Sequence, residues 1–208
     1  MVRCHEYHSY VKGVLMTEKT IRDFMDELKS EKPTPGGGGV SALTSASGVA
    51  LIMMVANLTL KHQKYAEWHE LCNETIAKAE PMLKELVGAV DKDAELFGAL
   101  MNSYKTKDDL IIGKASIDAA MTPLYVMQIS ARALELCYGL LGKSNPNLES
   151  DLYVASHCLK AGMESSKYSI DANLPGIERI DQTLAKDLKE DTAKTLNQGI
   201  AMVNRIHK

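Results

Sequence analysis

The chain of 208 residues is long enough for one domain with a substantial core, and 45% hydrophobic with 25% charged residues is ordinary for a globular protein. The formal net charge of -3 argues against general attraction to nucleic acid or to an anionic membrane. Aromatic residues make up only 5% of the chain, whereas alanine, leucine, lysine, glutamate and methionine are plentiful, so the composition favours helices.

The first fifteen residues are polar and lack the apolar core of a signal peptide. Met16-Thr17-Glu18 is typical of a natural start, so we expect residues 1–16 to be a leader outside the fold and residues 17–208 to form one helical domain. Thr17 is predicted to cap a first helix that runs from Glu18 to Ser30.

A glycine-rich loop follows this helix, with the sequence Pro33-Thr34-Pro35-Gly36-Gly37-Gly38-Gly39-Val40-Ser41. The prolines predict an extended entry, and four glycines permit positive φ and close approach of a ligand. A helix of small residues is predicted from about Val40 to His62, and its free N–H groups would form a cradle for an anion or a carbonyl. The alternative is a tight, closely packed turn. A P-loop and a dinucleotide fold are excluded because no Lys-Ser or Lys-Thr follows the glycines and no strand pattern precedes them.

The remainder of the chain shows apolar residues at helical spacing, separated by polar or turn-forming clusters. The predicted helices are Tyr65 to Ala79, Met82 to Tyr104, Leu110 to Leu141, Ser150 or Asp151 to Ser166, and Ile177 to Ile206. Pro81 suits either a continuation or a kink, and Asp171 to Gly176 is predicted to be a turn. No stretch alternates with period two, so the fold class is all-α, a single helical domain of about six to seven helices.

Two carboxylates, Asp91 and Asp93, lie on an otherwise well-patterned helix. Asp93 follows Val90 by three residues and precedes Phe97 by four, on the face that those side chains mark as inward. A buried carboxyl with a raised pKa suits acid–base chemistry near neutral pH. The alternative is a structural salt bridge or a solvated rim.

Other polar residues carry weaker signals. Asp151 is explained by an N-cap or first-turn position, Asn173 by a turn, and Tyr104 could hydrogen-bond a ligand or simply pack. The six histidines form no HxxxH pair, so no metal site is expected. The four cysteines are scattered, which favours reduced thiols and a cytoplasmic location, and the apolar run Val49 to Leu60 is too short for a membrane span.

Four stretches together resemble the cyclodeaminase/cyclohydrolase family of folate enzymes, over about residues 17–208. They are the glycine loop with its small-residue helix, Val90-Asp91-Lys92-Asp93-Ala94-Glu95-Leu96-Phe97, Asn145-Pro146-Asn147 with Ser150-Asp151-Leu152-Tyr153-Val154-Ala155, and Asn173-Leu174. The family usually carries serine where Gly39 stands, and further departures fall at Lys105-Thr106-Lys107 and Ser169-Ile170.

The resemblance implies an all-α, bundle-like homodimer that binds a tetrahydrofolate derivative near the glycine loop. It implies Asp93 as the proton-carrying carboxylate, with Asp91 as its neighbour or substitute, and no metal or cofactor beyond the folate. The implied substrate-binding residues are Pro35, Gly36, Gly37, Gly38, Gly39, Val40, Tyr104, Asp151 and Asn173.

Three functions remain open at this point. The favoured one is hydrolysis of 5,10-methenyltetrahydrofolate to 10-formyltetrahydrofolate, because no formiminotransferase domain is attached. The second is cyclodeamination of formiminotetrahydrofolate with release of ammonia. The third is a non-catalytic helical dimer that binds folate or a partner, which the glycine at position 39 motivates.

Overall fold

The computed structural model describes residues 15–208, and this part of the chain folds into six α-helices without a β-strand. The helices are α1 (Ile21–Leu28), α2 (Gly37–Leu60), α3 (His69–Tyr104), α4 (Asp109–Leu140), α5 (Glu149–Glu178) and α6 (Gln182–Ile206). Short 3-10 turns lie at Met16–Glu18, Gln63–Trp68 and Pro146–Leu148. The predicted all-α fold is confirmed.

The N-terminal segment is fastened to α3. Of the predicted leader, residues 1–14 lie outside the described residues, whereas Met16 packs against the core. Helix α1 begins after Thr20, whose hydroxyl accepts a hydrogen bond from the Asp23 N–H, so the predicted cap at Thr17 is wrong. The Thr17 hydroxyl instead donates to Asp91 Oδ2 at 2.6 Å.

Helix α2 lies at the centre of the domain and contacts α3, α4 and α5. Its small residues bring neighbouring backbones close, since a Cβ on Gly48 would lie 2.9 Å from the carbonyl oxygen of Ala155 in α5. A Cβ on Gly162 of α5 would lie 1.9 Å from Ser45 Oγ. The predicted buried small-residue helix is confirmed, and it begins at Gly37, three residues earlier than expected.

By length and composition, both α2 and α4 could cross a membrane. Their most apolar stretches have mean hydropathies of 1.8 and 1.2, and 61% and 44% of those residues are buried inside the fold. In α2 the buried set includes Ser45, whose hydroxyl accepts a hydrogen bond from Ser130 of α4 at 2.8 Å. This internal packing is that of a core helix.

The contacts of α2 define two ends of the bundle, because α3 and α5 both run antiparallel to it. Gly39 meets Asp93, whereas Thr59 meets Cys72. We call the first the loop end; it comprises residues 33–41 with the C-terminal parts of α3 and α5. The far end comprises residues 55–72 with the α4–α5 connection, where the Asn145 N–H donates to Thr59 Oγ1.

The structure decides one boundary that the sequence left open and corrects another. Helix α3 runs through Pro81 without a break. Pro81 has no N–H to donate to the carbonyl of Ala77, but both residues are exposed, so the missing hydrogen bond lies on the surface of the helix. The predicted turn at Asp171 to Gly176 is wrong, because α5 continues to Glu178. Gly176 is needed for packing: a Cβ there would lie 2.0 Å from Ser116 Oγ of α4.

Candidate active site

The glycine loop opens directly into α2. Gly36 is the N-cap, and Gly37, Gly38 and Gly39 form the first helical turn. None of these four glycines has positive φ, so the backbone does not use the freedom that the glycines permit. Within residues 15–208 the N–H groups of Gly37 and Gly38 have no hydrogen-bond partner, and they point out of the positive end of the helix.

Asp93 of α3 lies against this turn. The Gly39 N–H donates to Asp93 Oδ2 at 2.9 Å. A Cβ on Gly38 would lie 2.0 Å from Asp93 Oδ1 and 2.5 Å from its Cγ, so only glycine allows the carboxylate to touch the backbone here. At Gly39 a Cβ would be 3.6 Å from its nearest neighbour, the Val90 carbonyl oxygen, which is an ordinary van der Waals contact.

The Asp93 carboxyl has a raised pKa. Burial is the main cause, because it disfavours the charged form, and the hydrogen bond from the Gly39 N–H acts in the opposite direction. No ion pair to Asp93 is found in the part of the chain that the structure describes, and its Oδ1 has no hydrogen bond there. The structural salt bridge considered above is therefore not what holds this side chain.

Asp91 faces a different direction from Asp93. The two residues are about 200° apart around the helix, and Asp91 accepts hydrogen bonds from the Met16 N–H at 2.5 Å and the Thr17 hydroxyl at 2.6 Å. Its carboxylate thus anchors the N-terminal segment. The prediction that Asp91 neighbours or substitutes for Asp93 in the site is not supported by this geometry.

The structure brings together only some of the expected binding residues. Pro35 is buried and Val40 half-buried next to the glycines at the loop end. Tyr104 is the last residue of α3, 44% exposed, and lies about 16 Å along the helix axis from Asp93. The two thus do not touch the same small group.

Asn173 and Asp151 lie at opposite ends of α5. Asn173 is at the loop end, but within the helix rather than in a turn, and its amide donates to the Ser169 carbonyl at 2.8 Å. Asp151 is in the first turn of α5, as predicted. This turn lies at the far end of the bundle. Within the chain it is therefore remote from the Asp93 carboxylate.

Ser41 has a clearer role than the sequence suggested. Its hydroxyl, 1% exposed, donates to the Gly38 carbonyl at 2.7 Å, so it points back into the loop. A serine three residues after a helix-opening glycine is a recognisable local signal, since serine hydroxyls bond backbone carbonyls one turn back. Within residues 15–208 no group of three or more His, Cys, Asp or Glu side chains is placed to hold a metal ion.

A half-buried carboxylate with a raised pKa, set against unpaired N–H groups at a helix N-terminus, defines a site of the acid–base type in an all-helical enzyme-like domain. The family model described as Formiminotransferase-cyclodeaminase matches residues 20–194. The chain belongs to this family.

Individual relatives agree with that assignment. The chain is 31% identical over 199 residues to a methenyltetrahydrofolate cyclohydrolase from Methylorubrum extorquens, covering 91% of this chain and 95% of the relative. It is 26% identical to a formimidoyltransferase-cyclodeaminase from Sus scrofa, covering 78% of this chain but 32% of the relative. A crystal structure of formiminotetrahydrofolate cyclodeaminase from Thermotoga maritima matches with a TM-score of 0.85 at 28% identity, covering 91% of this chain and 94% of that one.

Proposed function

We propose that the protein hydrolyses 5,10-methenyltetrahydrofolate to 10-formyltetrahydrofolate, an enzyme step of one-carbon metabolism. The observation that carries this proposal is Asp93, a half-buried carboxyl with one oxygen bound to the Gly39 N–H and the other without a partner in the described chain. The similarity to a cyclohydrolase over 95% of that relative supports this choice of substrate.

The carboxylate would act as general base and then as general acid. Ionised Asp93 takes a proton from the water that adds to the amidinium carbon between N5 and N10. The tetrahedral adduct then opens: the C–N5 bond breaks, the adduct's hydroxyl loses its proton to solvent as the formyl C=O forms, and the same carboxyl returns its proton to N5. The raised pKa favours this double role, because a group that titrates nearer to neutral pH gives and takes a proton more readily.

The glycine turn would hold the substrate by its backbone. The N–H groups of Gly37 and Gly38 are available for hydrogen bonds to an oxygen of the folate, and the absence of side chains lets the ligand approach them. These proton transfers require the carboxyl group and water and call for no metal or redox cofactor, so we propose that folate is the only small molecule involved.

Cyclodeamination of formiminotetrahydrofolate is the second candidate, and the match to the Thermotoga maritima structure favours it. In that reaction N10 attacks the same carbon and ammonia leaves. The tetrahedral adduct again needs one group to move protons, so the same Asp93 would serve. The two candidates differ in the substrate consumed rather than in the proposed carboxylate.

The test is the loss of 5,10-methenyltetrahydrofolate absorbance on addition of the purified protein. Asp93→Asn should lower the rate by about 10²–10⁴-fold, the usual contribution of a general acid–base group. Asp91→Asn is the matched variant: the same change two residues away, at a carboxylate that binds Met16 and Thr17, should leave most of the rate.

The remaining outcomes separate the alternatives. Equal loss in both variants would contradict the assignment of Asp93. If the wild type consumes no methenyl compound but produces it from 5-formiminotetrahydrofolate, the protein is the cyclodeaminase. Binding of folate without either reaction would support the non-catalytic reading.

We also propose that the protein is a homodimer. The family resemblance implies it, and α2, although apolar on all sides, leaves Leu43, Ser47 and Ala50 exposed along one face. A helix that is hydrophobic all round is normally buried. A light-scattering mass of two chains is expected, and a mass of one chain would contradict this assembly.

The proposed compartment is the cytoplasm. Cys72, Cys137 and Cys158 are all free, which is typical of proteins that work in a reducing environment. Cys4 lies outside the described residues.

A further inference from the structure

A short chain of hydrogen bonds links α5 to the glycine turn. Ser166 of α5 is fully buried, and its hydroxyl donates to Ser41 Oγ at 3.3 Å. The Ser41 hydroxyl in turn donates to the Gly38 carbonyl at 2.7 Å. Two buried hydroxyls on two different helices thus end on one carbonyl group of the loop.

That carbonyl belongs to the same peptide group as the N–H that binds Asp93. The Gly38 C=O and the Gly39 N–H lie in one rigid plane, because the peptide bond does not rotate freely. The N–H side of this plane donates to Asp93 Oδ2 at 2.9 Å. Whatever fixes the direction of the carbonyl therefore fixes the direction of the hydrogen bond to the carboxylate.

Glycine makes such a restraint necessary. The peptide is flanked by two residues without Cβ atoms, which leave its orientation poorly restricted by local sterics. Other hydroxyls on α2 bond carbonyls of the helix interior, as Thr44 does to Val40 and Ser47 to Leu43, where neighbouring helical bonds already hold the backbone. Ser41 bonds the first turn, where the N–H groups have no intrahelical partner and helical bonds hold each peptide only on its carbonyl side.

We propose that Ser41, held by Ser166, is a positioning residue that fixes the Gly38–Gly39 peptide so that its N–H holds the Asp93 carboxylate in place for reaction. This inference rests on the proposed function in that Asp93 carries the proton. Ser41 itself need not touch the substrate.

The hydrogen bond from Gly39 favours the ionised form of Asp93 and lowers its pKa against the effect of burial. Other charged groups on α3 near it are engaged elsewhere: Lys92 pairs with Glu95, and Asp91 binds Met16 and Thr17. Neither α2 nor α5 places a charged side chain in an ion pair with Asp93 within residues 15–208. Loosening the Gly38–Gly39 peptide should therefore raise the pKa of Asp93 further.

The test compares Ser41→Ala and Ser166→Ala with Ser45→Ala. Ser45 is an equally buried serine one turn further along α2, and its hydroxyl bonds Ser130 rather than the loop. The rate of loss of 5,10-methenyltetrahydrofolate absorbance is measured over a range of pH. Ser41→Ala should move the midpoint of the rate profile to higher pH and lower kcat below that midpoint about fivefold, the value of one ordinary hydrogen bond.

KM should change little in Ser41→Ala, Ser166→Ala should shift the midpoint in the same direction by less, and Ser45→Ala should not shift it. An unshifted midpoint in Ser41→Ala, or an equal shift in Ser45→Ala, would overturn the proposal. If Ser41→Ala does not fold, Ser166→Ala carries the test alone, and an unshifted midpoint in that variant overturns it.

A second readout does not depend on turnover. Carbon NMR of the aspartate side-chain carboxyls, with Asp93→Asn to assign the signal, gives the titration midpoint of Asp93 directly. If the wild type has no activity, the proposed function fails, but the positioning role of Ser41 is still judged by whether this midpoint rises in Ser41→Ala and not in Ser45→Ala.

Discussion

The two ends of the bundle differ in how completely their polar side chains are hydrogen-bonded. At the far end, Asn145 is 8% exposed and well bonded: its Oδ1 accepts from the Tyr65 hydroxyl at 2.9 Å and the Asn147 N–H at 3.2 Å, and its own N–H donates to Thr59. At the loop end, Asp93 has one hydrogen bond within residues 15–208, from the Gly39 N–H.

The difference separates a structural motif from the one that we propose to be reactive. Both stretches resemble motifs of the same family, so resemblance alone does not distinguish them. The Asn145 Oδ1 accepts its hydrogen bonds from other groups of the protein, and the Asn145 N–H donates to Thr59. These bonds fix the α4–α5 connection against the end of α2. Asp93 retains an oxygen without a protein partner in the described chain and a raised pKa, which costs stability but suits the acid–base role that we propose.

The largest expected effect comes from adding one methyl group at the loop end. Gly38→Ala would place a Cβ 2.0 Å from Asp93 Oδ1 and displace the carboxylate, so the rate of the proposed hydrolysis should fall by about 10²-fold or more. Gly139→Ala is the matched control, because this α4 glycine lies at the far end of the bundle and a Cβ there meets nothing within 4 Å. Steady-state rates of both variants decide the point, and equal rates would contradict the role given to Gly38.

A smaller effect, on stability rather than activity, is expected at the far end. Asn145→Ala leaves the buried Tyr65 hydroxyl and the Asn147 N–H without their acceptor, so the free energy of unfolding should fall by about 2 kcal/mol. Urea unfolding measures this change. At urea concentrations well below the unfolding transition, the kcat of Asn145→Ala should stay near that of the wild type.

Tyr65→Phe provides the milder comparison, since it removes the donor of one of these bonds and should cost about 1 kcal/mol. A large loss of kcat in Asn145→Ala, with the protein fully folded, would show that the far end takes part in the reaction. The contrast between the two ends would then not hold.

Much of the fold could be predicted from the sequence, because the apolar residues at helical spacing and the small residues of α2 are the ones that pack inside the structure. The inward position of Asp93 could be derived from Val90, which is 3% exposed, and from helical spacing. The separation of Asp91 from Asp93 also follows from helical geometry. Its anchoring role does not, because Met16 and Thr17 are some 75 residues away in the chain.

Other features depend on contacts that a local pattern does not encode. Asn173-Leu174-Pro175-Gly176 has the composition of a turn, yet the burial of Leu174 and the approach of Gly176 to Ser116 keep it helical. From the sequence, the four glycines are explained by the backbone freedom that they give the loop. In the structure, position 38 requires glycine because Asp93 occupies the space that a side chain would need.

The most direct test of the central claim compares two midpoints in the wild-type protein, that of the pH–rate profile for 5,10-methenyltetrahydrofolate hydrolysis and that of the Asp93 carboxyl followed by carbon NMR. Burial raises the pKa of Asp93, so its ionised form, and with it the rate, should appear only as the pH rises through the raised value. We predict that the two midpoints coincide above the ordinary range of aspartate. An Asp93 that titrates in the ordinary range while the rate follows another midpoint would contradict the account.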